Sequence, residues 1–388
     1  MIKEIYLFNP ENDMALANFT PYYKAPTEIT QMSKDLSVLP AWYAPQGNII
    51  KLDSLSQADL LKEQCPFPEL IPQVEWSNSW ENVPYRPWGW NPSLLHALQM
   101  AGISSQYLLS NEQMEKLRFL SGRQRCVEVL ESFSSMNHLC GQATICNSIT
   151  QVKELVSSIG ECILKAPWSG SGRGLVRISP TNWTPSVEGW LARTLRVQKE
   201  IMVEPLYNKE KDFAMEFYAE GGNIHFVGYS LFETDSHGNY KANILLSDTQ
   251  IEEVLLRYIP SPVLQDTCLI LEKKLSEILG KDYQGYLGVD MMICQSPDGY
   301  SLHPCVEINL RMNMGIVSHI IFERYIQPQA HGKYMIEYYS SDGAALEMHH
   351  HLQITHPVRL HDKKLAKGYF SLTPVLQDTR YHAFLLLD

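Results

Sequence analysis

The stretch Cys305–Gly315, "CVEINLRMNMG", decides the fold. Its polar and apolar residues alternate with the period of a strand, so Glu307, Asn309 and Arg311 are expected on one face. Val306, Ile308 and Leu310 take the other. The strand before it, "GYLGVDMMIC", is separated from it by "QSPDG", and Asp-Gly favours a tight hairpin turn. With Asp298 and Gly299 as turn residues, Asp290 falls directly opposite Glu307, with Cβ atoms about 5 Å apart. Two carboxylates at that spacing repel unless a cation sits between them. Asp, Glu and Asn oxygens suit Mg²⁺, which takes one or two protein carboxylates plus water and phosphate oxygens. Arg311 has no acid two residues before it, so it is expected to meet an anion arriving from outside. The bland alternative is a salt-bridge ladder on an exposed sheet face.

Upstream, "ILKAPWSGSGRG" places Lys165 at the end of an apolar strand, just before a loop of small residues. Gly170, Gly172 and Gly174 let backbone amides approach phosphate oxygens closely. Ser169, Ser171 and Arg173 complete the loop. No Gly-Lys-Ser/Thr ends it and a strand follows, so it is neither a P-loop nor a dinucleotide fingerprint. A flexible hairpin tip without a ligand is the alternative.

The remaining chain supplies a frame. "IKEIYLF" reads as a buried first strand, and "NPENDMALAN" turns into a helix with Asn12 or Asp13 as N-cap. "NEQMEKLRFLSGRQRCVEVLESF" reads as one helical segment. "SITQVKELVSSIG" is a second helix, stopped by Gly160. "EGGN" joins two strands as a hairpin. "SPVLQDTCLILEKKLSEILG" is an amphipathic helix with Leu264, Cys268, Leu271, Leu275 and Ile278 on its stripe. His349-His350-His351 reads as a solvated loop, and the tail adds closing strands, "GYFSLTPVL" and "YHAFLLLD".

With 388 residues, 45% of them apolar, the chain is expected to be globular and to form two or three domains. A formal charge of -11 argues against binding a phosphate backbone, so no nucleic-acid partner is expected. The eight cysteines form no Cys-x-x-Cys pair, which fits reduced thiols and a cytoplasmic setting. No signal peptide and no membrane-spanning apolar run is seen.

Four ordered motifs resemble the ATP-grasp superfamily: Lys165 with "SGSGRG", "VEPLYNKEKDF", "GVDMMI" and "VEINLRMNMG". The resemblance spans about residues 105–325. It implies an α+β fold with an α/β N-terminal domain, nucleotide being held by two α+β lobes. The expected divisions are 1–105, 106–200 with the glycine-rich flap, 201–330 with the metal site, and a closing segment, 331–388. By position, Lys165 would contact ATP phosphates under a flap from Ser169 to Gly174. Glu204 and the backbone near Leu206 would meet adenine. Asp212, where the family often has Glu, would hold the ribose. Asp290, Glu307 and Asn309 would bind Mg²⁺, with two ions expected and Mn²⁺ an alternative, and Arg311 would face the transferred phosphoryl group. Arg118 would reach phosphate, with Lys116 and Arg123 as rivals. The implied reaction activates a small-molecule or peptide carboxylate as an acyl phosphate and joins it to an amine or a similar nucleophile, such as a thiol. Alternatives are a phosphotransferase and a nucleotide-binding regulator without turnover. A homodimer is compatible with the resemblance. The acceptor is expected near the first loop, at Asn9, Glu11, Asn12 and Asp13, or these residues simply form a turn and a helix cap. The aromatic "RPWGWNP" reads as structural tryptophans or as a pocket lining.

Overall fold

The computed structural model describes residues 3–169, 174–234 and 240–388. The structure mixes helices with several sheets, as the α+β reading expects. By their contacts the residues divide into two compact units. One holds Met1–Met114, Ser230–Ile251 and Arg311–Asp388; the other holds Glu115–Tyr229 and Glu252–Leu310.

The first unit opens with a parallel sheet of β1 (Ile5–Leu7), β2 (Ile49–Lys51), β3 (Glu75–Ser77) and β4 (Tyr85–Pro87), in the order β3-β2-β1-β4. The expected α/β start is therefore present. Strand order reverses between β1 and β4, and open α/β sheets bind ligands at the carboxyl ends of strands flanking such a reversal. The core here is Ile5, Leu7, Ile49, Tyr85, Leu94, Leu98 and Ile103. Trp88 is buried, in edge contact with Phe8 at 5.0 Å, so the structural reading of that tryptophan holds.

The second unit carries β5 (Thr144–Cys146), β6 (Cys162–Lys165), β7 (Leu175–Ile178) and β8 (Ile201–Pro205), antiparallel in the order β5-β8-β6-β7. Its core gathers Val152, Val156, Leu164, Leu191, Ile201 and Val203. Ser148 caps the helix Ile149–Ile159 through the amide of Gln151, and Gly160 ends it with φ 97. Next come β9 (Lys209–Glu220) and β10 (Asn223–Thr234), turned by Gly221 and Gly222 with φ 61 and 91. That pair of left-handed residues makes the expected hairpin. β11 (Tyr240–Leu245) belongs to the first unit; β12 (Gly285–Ser296) and β13 (Gly299–Asn309) return to the second, in the order β13-β12-β9-β10.

Three readings need correction here. The segment 111–131 is two helices, Asn111–Leu120 and Gln124–Glu131. The break falls at Gly122, where a Cβ would lie 2.2 Å from Gln124, and at Arg123, whose amide bonds to the Pro167 carbonyl. On the helix Ser261–Leu279, Thr267 and Leu279 are buried where Cys268 and Ile278 were expected. The His349-His350-His351 stretch lies in the helix Ala344–Thr355, with His349 buried and bonded to Tyr369 at 2.6 Å.

The first unit closes with β14 (Gly332–Tyr338), β15 (Arg359–His361), β16 (Lys364–Ser371) and β17 (Tyr381–Leu387), antiparallel in the order β11-β14-β17-β16-β15. Buried Trp42 packs on Tyr325 and Phe370 and donates its indole N–H to the Leu372 carbonyl at 2.7 Å. This contact ties the tail strands to the beginning of the chain. All eight cysteines are free thiols. No helix among the described residues is long and apolar enough to cross a membrane.

Candidate active site

In the second unit, Asp290 pairs directly with Glu307, as the sequence predicts, but the turn differs. Ser296 faces Gly299, so Pro297 and Asp298 form the turn, and Gly299 begins β13 with φ 121. Between Met292–His303 and Asp290–Glu307, β13 carries two residues more than β12. An even excess leaves every side chain on its original face, so the two differences cancel. Asn309 follows on the same face and donates to Asp290 Oδ2 at 3.0 Å. Val289, Met291 and Ile308 are buried on the opposite side.

Arg123 organises this face. Its Nη2 meets Glu307 Oε1 at 2.6 Å, while Nη1 donates to Ser169 Oγ at 2.7 Å and to the Ala166 carbonyl at 2.9 Å. Its side chain is 7% exposed against 34% for Glu307. Burial works against the Arg123 charge, but Glu307, with Cys126 and Glu204 adding, holds its pKa above the ordinary value. Sequence reading ranked Arg123 only as a rival of Arg118. The overlooked signal was Gly122, which interrupts the helix and turns Arg123 out of its register. The Arg118 guanidinium lies over the Trp168 ring at 4.6 Å, and its carbonyl accepts the Trp168 indole N–H at 2.8 Å. The other rival, Lys116, lies 3.4 Å from Asp282.

Lys165 ends β6 in a buried ion pair with Glu204 at 2.7 Å, each side chain 6% exposed. Its Nζ also donates to the Val306 carbonyl at 3.3 Å, which joins β6 to β13. His303 lies 3.9 Å from Glu204, but burial and Lys165 push its pKa down to about 3. It is neutral at pH 7, so the contact is not a charge pair. Tyr207 packs edge-on to His303, and its hydroxyl accepts from the amides of Gly141 and Gln142 at 3.1 and 3.0 Å. Sequence reading gave neither residue a role.

The base of the glycine-rich loop is well defined. The Ala166 amide donates to the Gly174 carbonyl at 2.9 Å, and a Cβ on Gly174 would come within 2.3 Å of Ser169. Gln198 brackets Trp168 from its backbone amide and carbonyl, at 2.9 and 3.1 Å. Gly170, Ser171, Gly172 and Arg173 lie outside the described residues. Leu206 is 37% exposed, and its amide donates to the Glu161 carbonyl. Asp212 pairs with Lys209.

The first unit holds the other candidates. Arg311 is not on β13, which ends at Asn309, so the alternation argument does not reach it. Nor is it without an acid. Its Nε and Nη2 donate to Asp13 Oδ1 and Oδ2, each at 2.7 Å. The sequence hid this because the partner lies 298 residues away. Asn9 and Gly89 exchange two hydrogen bonds, at 2.8 and 3.3 Å. A Cβ on Gly89 would lie 2.3 Å from the Asn12 side chain. Both asparagines are buried. Neither Asn12 nor Asp13 caps the helix Asn12–Asn18; Glu11 takes the N-cap position without a side-chain cap bond. Burial raises the Glu11 carboxyl pKa.

The residues fit a divalent ion. Two carboxylates and an amide share one face, and a guanidinium holds one Glu307 oxygen. Among the described residues no group of three or more His, Cys, Asp or Glu could hold a metal ion. Mg²⁺ needs no such group, because water and substrate phosphates complete its shell.

No protein-family model matches the chain, and no curated protein matches it in sequence. Solved structures resemble it over its whole length. Carboxyaminoimidazole ribonucleotide synthase from Aspergillus clavatus, complexed with ATP, has a TM-score of 0.49 at 11% identity, covering 99% of this chain and 93% of that one. Biotin carboxylase from Campylobacter jejuni has a TM-score of 0.49 at 12% identity, covering 100% and 88%. N5-carboxyaminoimidazole synthetase from Staphylococcus aureus, complexed with ADP, has a TM-score of 0.47 at 13% identity, covering 100% and 93%.

Proposed function

We propose that this chain is an ATP-grasp ligase that releases ADP, activating a carboxylate as an acyl phosphate and joining it to an amine. The observation that carries this reading is Arg123, one guanidinium bonded both to Ser169 at the base of the glycine-rich loop and to Glu307 opposite Asp290. Such a bridge places a buried positive charge between a loop suited to phosphate and a pair suited to a metal. Lys165, tied to Glu204 and the Val306 carbonyl, supplies a second cation for the phosphate chain.

Asp290, Glu307 and Asn309 would hold Mg²⁺, which when bound neutralises phosphate charge and aligns the β- and γ-oxygens. Glu204 and the backbone near Leu206 would meet the adenine edge, and Asp212 would bind ribose. Lys165, Arg123, the loop amides from Ser169 to Gly174 and, in a supporting role, Arg118 would bind the phosphates. The substrate carboxylate oxygen attacks the γ-phosphorus, the bond to the β,γ-bridging oxygen breaks, and ADP leaves. An amine then attacks the acyl carbon, inorganic phosphate departs with the bonding electrons, and the amine proton passes to a base. Arg311 would face the phosphoryl group. The test is ADP release against panels of carboxylates and amines. A ligase requires both partners; ADP formation with one acceptor alone means a phosphotransferase, and none with any pair contradicts turnover.

A further inference from the structure

Arg311 rests on an acid that no strand pattern connects to it. Asp13 meets it edge to edge with two bonds of 2.7 Å, from Nε and Nη2. A third donation, from Nη1 to the Met312 carbonyl at 3.1 Å, holds the other side. Such a bidentate pair fixes the plane of a guanidinium as well as its position. Arginine otherwise has many rotamers, and a side chain 18% exposed is not confined by packing alone.

Both halves of the pair are anchored to one short segment, the residues that follow β4. On the Asp13 side, Asn9 exchanges two hydrogen bonds with Gly89, and Asn12 packs on Gly89 so closely that no side chain fits there. On the Arg311 side, the Met312 amide donates to the Trp88 carbonyl at 2.9 Å. Asn91 adds a cap for the helix Pro92–Met100 through the Leu94 amide at 3.0 Å. These residues lie at the carboxyl ends of β1 and β4, where the strand order of the parallel sheet reverses. Ligands favour that place in an open α/β sheet. A cation aimed from such a mount keeps one orientation.

We infer that Asp13 is a positioning residue: it sets the orientation in which Arg311 meets its anionic reactant. The inference rests on the ligase reading for the identity of the reactant, but not for the pairing itself. It replaces the view of Asp13 as a group that contacts the acceptor. Asp13→Asn keeps the shape and one acceptor oxygen while removing the charge and half of the bidentate geometry. Misaiming a group by about 1 Å lowers rates by roughly a hundredfold, so a loss of ten- to a hundredfold in kcat is expected. KM for ATP should stay within about threefold, because the pair addresses the reacting group rather than the nucleotide base. Asp13→Glu, which retains the charge and both oxygens, should recover part of the loss.

A purely structural pair would not give this split, and a double-mutant cycle separates the two. In an Arg311→Ala background, Asp13→Asn should change single-turnover ADP formation less than twofold, since nothing remains to be positioned. Additive losses would overturn the inference, as would wild-type kcat in Asp13→Asn alone. A second readout needs no turnover. The Arg311 Nε–H nitrogen-15 resonance should exchange slowly in the full-length protein, quickly in Asp13→Asn, and slowly again in Asp13→Glu. Equal exchange in all three would overturn the inference. If no acceptor supports ADP formation but exchange follows the expected order, the ligase reading fails while the positioning of Arg311 stands.

Discussion

Two ion pairs mark the two units, and they differ in kind. Lys165–Glu204 is dry, with both side chains 6% exposed and the lysine also donating to a strand carbonyl. Arg311–Asp13 is half open, at 18% and 33%. Burying the first costs desolvation that only close pairing offsets, so neither partner can be removed alone. The second loses less when broken, and its worth lies in orientation. The dry pair is therefore a matter of stability and affinity together. The open one is a matter of rate.

The largest expected effect is on turnover. Glu307→Gln should reduce ADP formation by at least about a thousandfold, with a melting temperature near wild type, because the amide still accepts from Arg123. Glu307→Ala should also destabilise, by about 1–3 kcal/mol, since buried Arg123 then loses its hydrogen-bond acceptor as well as the charge, while Glu307 itself is one-third exposed. Wild-type turnover in Glu307→Gln would remove the metal face from the account.

Next is the dry pair. Lys165→Met should cost about 3–5 kcal/mol in urea unfolding, because it leaves the Glu204 carboxylate buried and alone. The double variant Lys165→Met/Glu204→Leu should regain most of that stability without regaining nucleotide affinity. A double variant as unstable as the single would mean that the pair is not what holds these strands.

The arginines rank below it. Arg123→Ala should weaken binding of a non-hydrolysable ATP analogue by about tenfold to a hundredfold, and Arg118→Ala by about threefold or less, each read by calorimetry. The reverse order would restore Arg118 to the place the sequence first suggested.

The units can also be compared by pH. His303 in the second unit and His382 in the first are both pushed down to about 3, and His349 to about 4, mainly by burial. Each folded pKa lies below the ordinary 6.5, so the stabilisation is complete above pH 6.5 and is lost as pH falls toward 4 and 3. The slope is about 1.4 kcal/mol per pH unit for each histidine. His303→Leu should reduce the slope of the whole chain's unfolding stability with pH by its own share, leaving the shares of His382 and His349. An unchanged slope in His303→Leu would place the titration elsewhere.

How much of this was legible depended on the distance between partners along the chain. The Asp290–Glu307 pairing was readable because a tight turn and a period of two fix both register and face. Even a misplaced turn did no harm, since the two extra residues on β13 preserve the alternation. The place of Lys165 at the end of a strand was readable because the apolar run before it has a strand's length and ends at the small residues. The helix break at Arg123 was not, since a Gly inside a helical pattern is usually tolerated. Arg311 was misread as a strand residue because Leu310 continues the alternation after the pairing with β12 has ended. Its partner Asp13 is fixed only by tertiary packing of Asn9 and Asn12 on Gly89, and no local pattern carries that. The His349–His351 helix was misread for a similar reason. Tyr369 and His382, which sit with His349 in the core, come from two later strands.

A nucleotide bound to the second unit through a metal face and the cations behind it would need Mg²⁺ for its affinity. Calorimetry with a non-hydrolysable ATP analogue and the full chain, in Mg²⁺ and in EDTA, tests this most directly. Binding is expected to be micromolar in Mg²⁺ and at least about tenfold weaker in EDTA, and the difference should vanish in Glu307→Gln. Equal affinity with and without Mg²⁺, or an undiminished Mg²⁺ effect in Glu307→Gln, would contradict it.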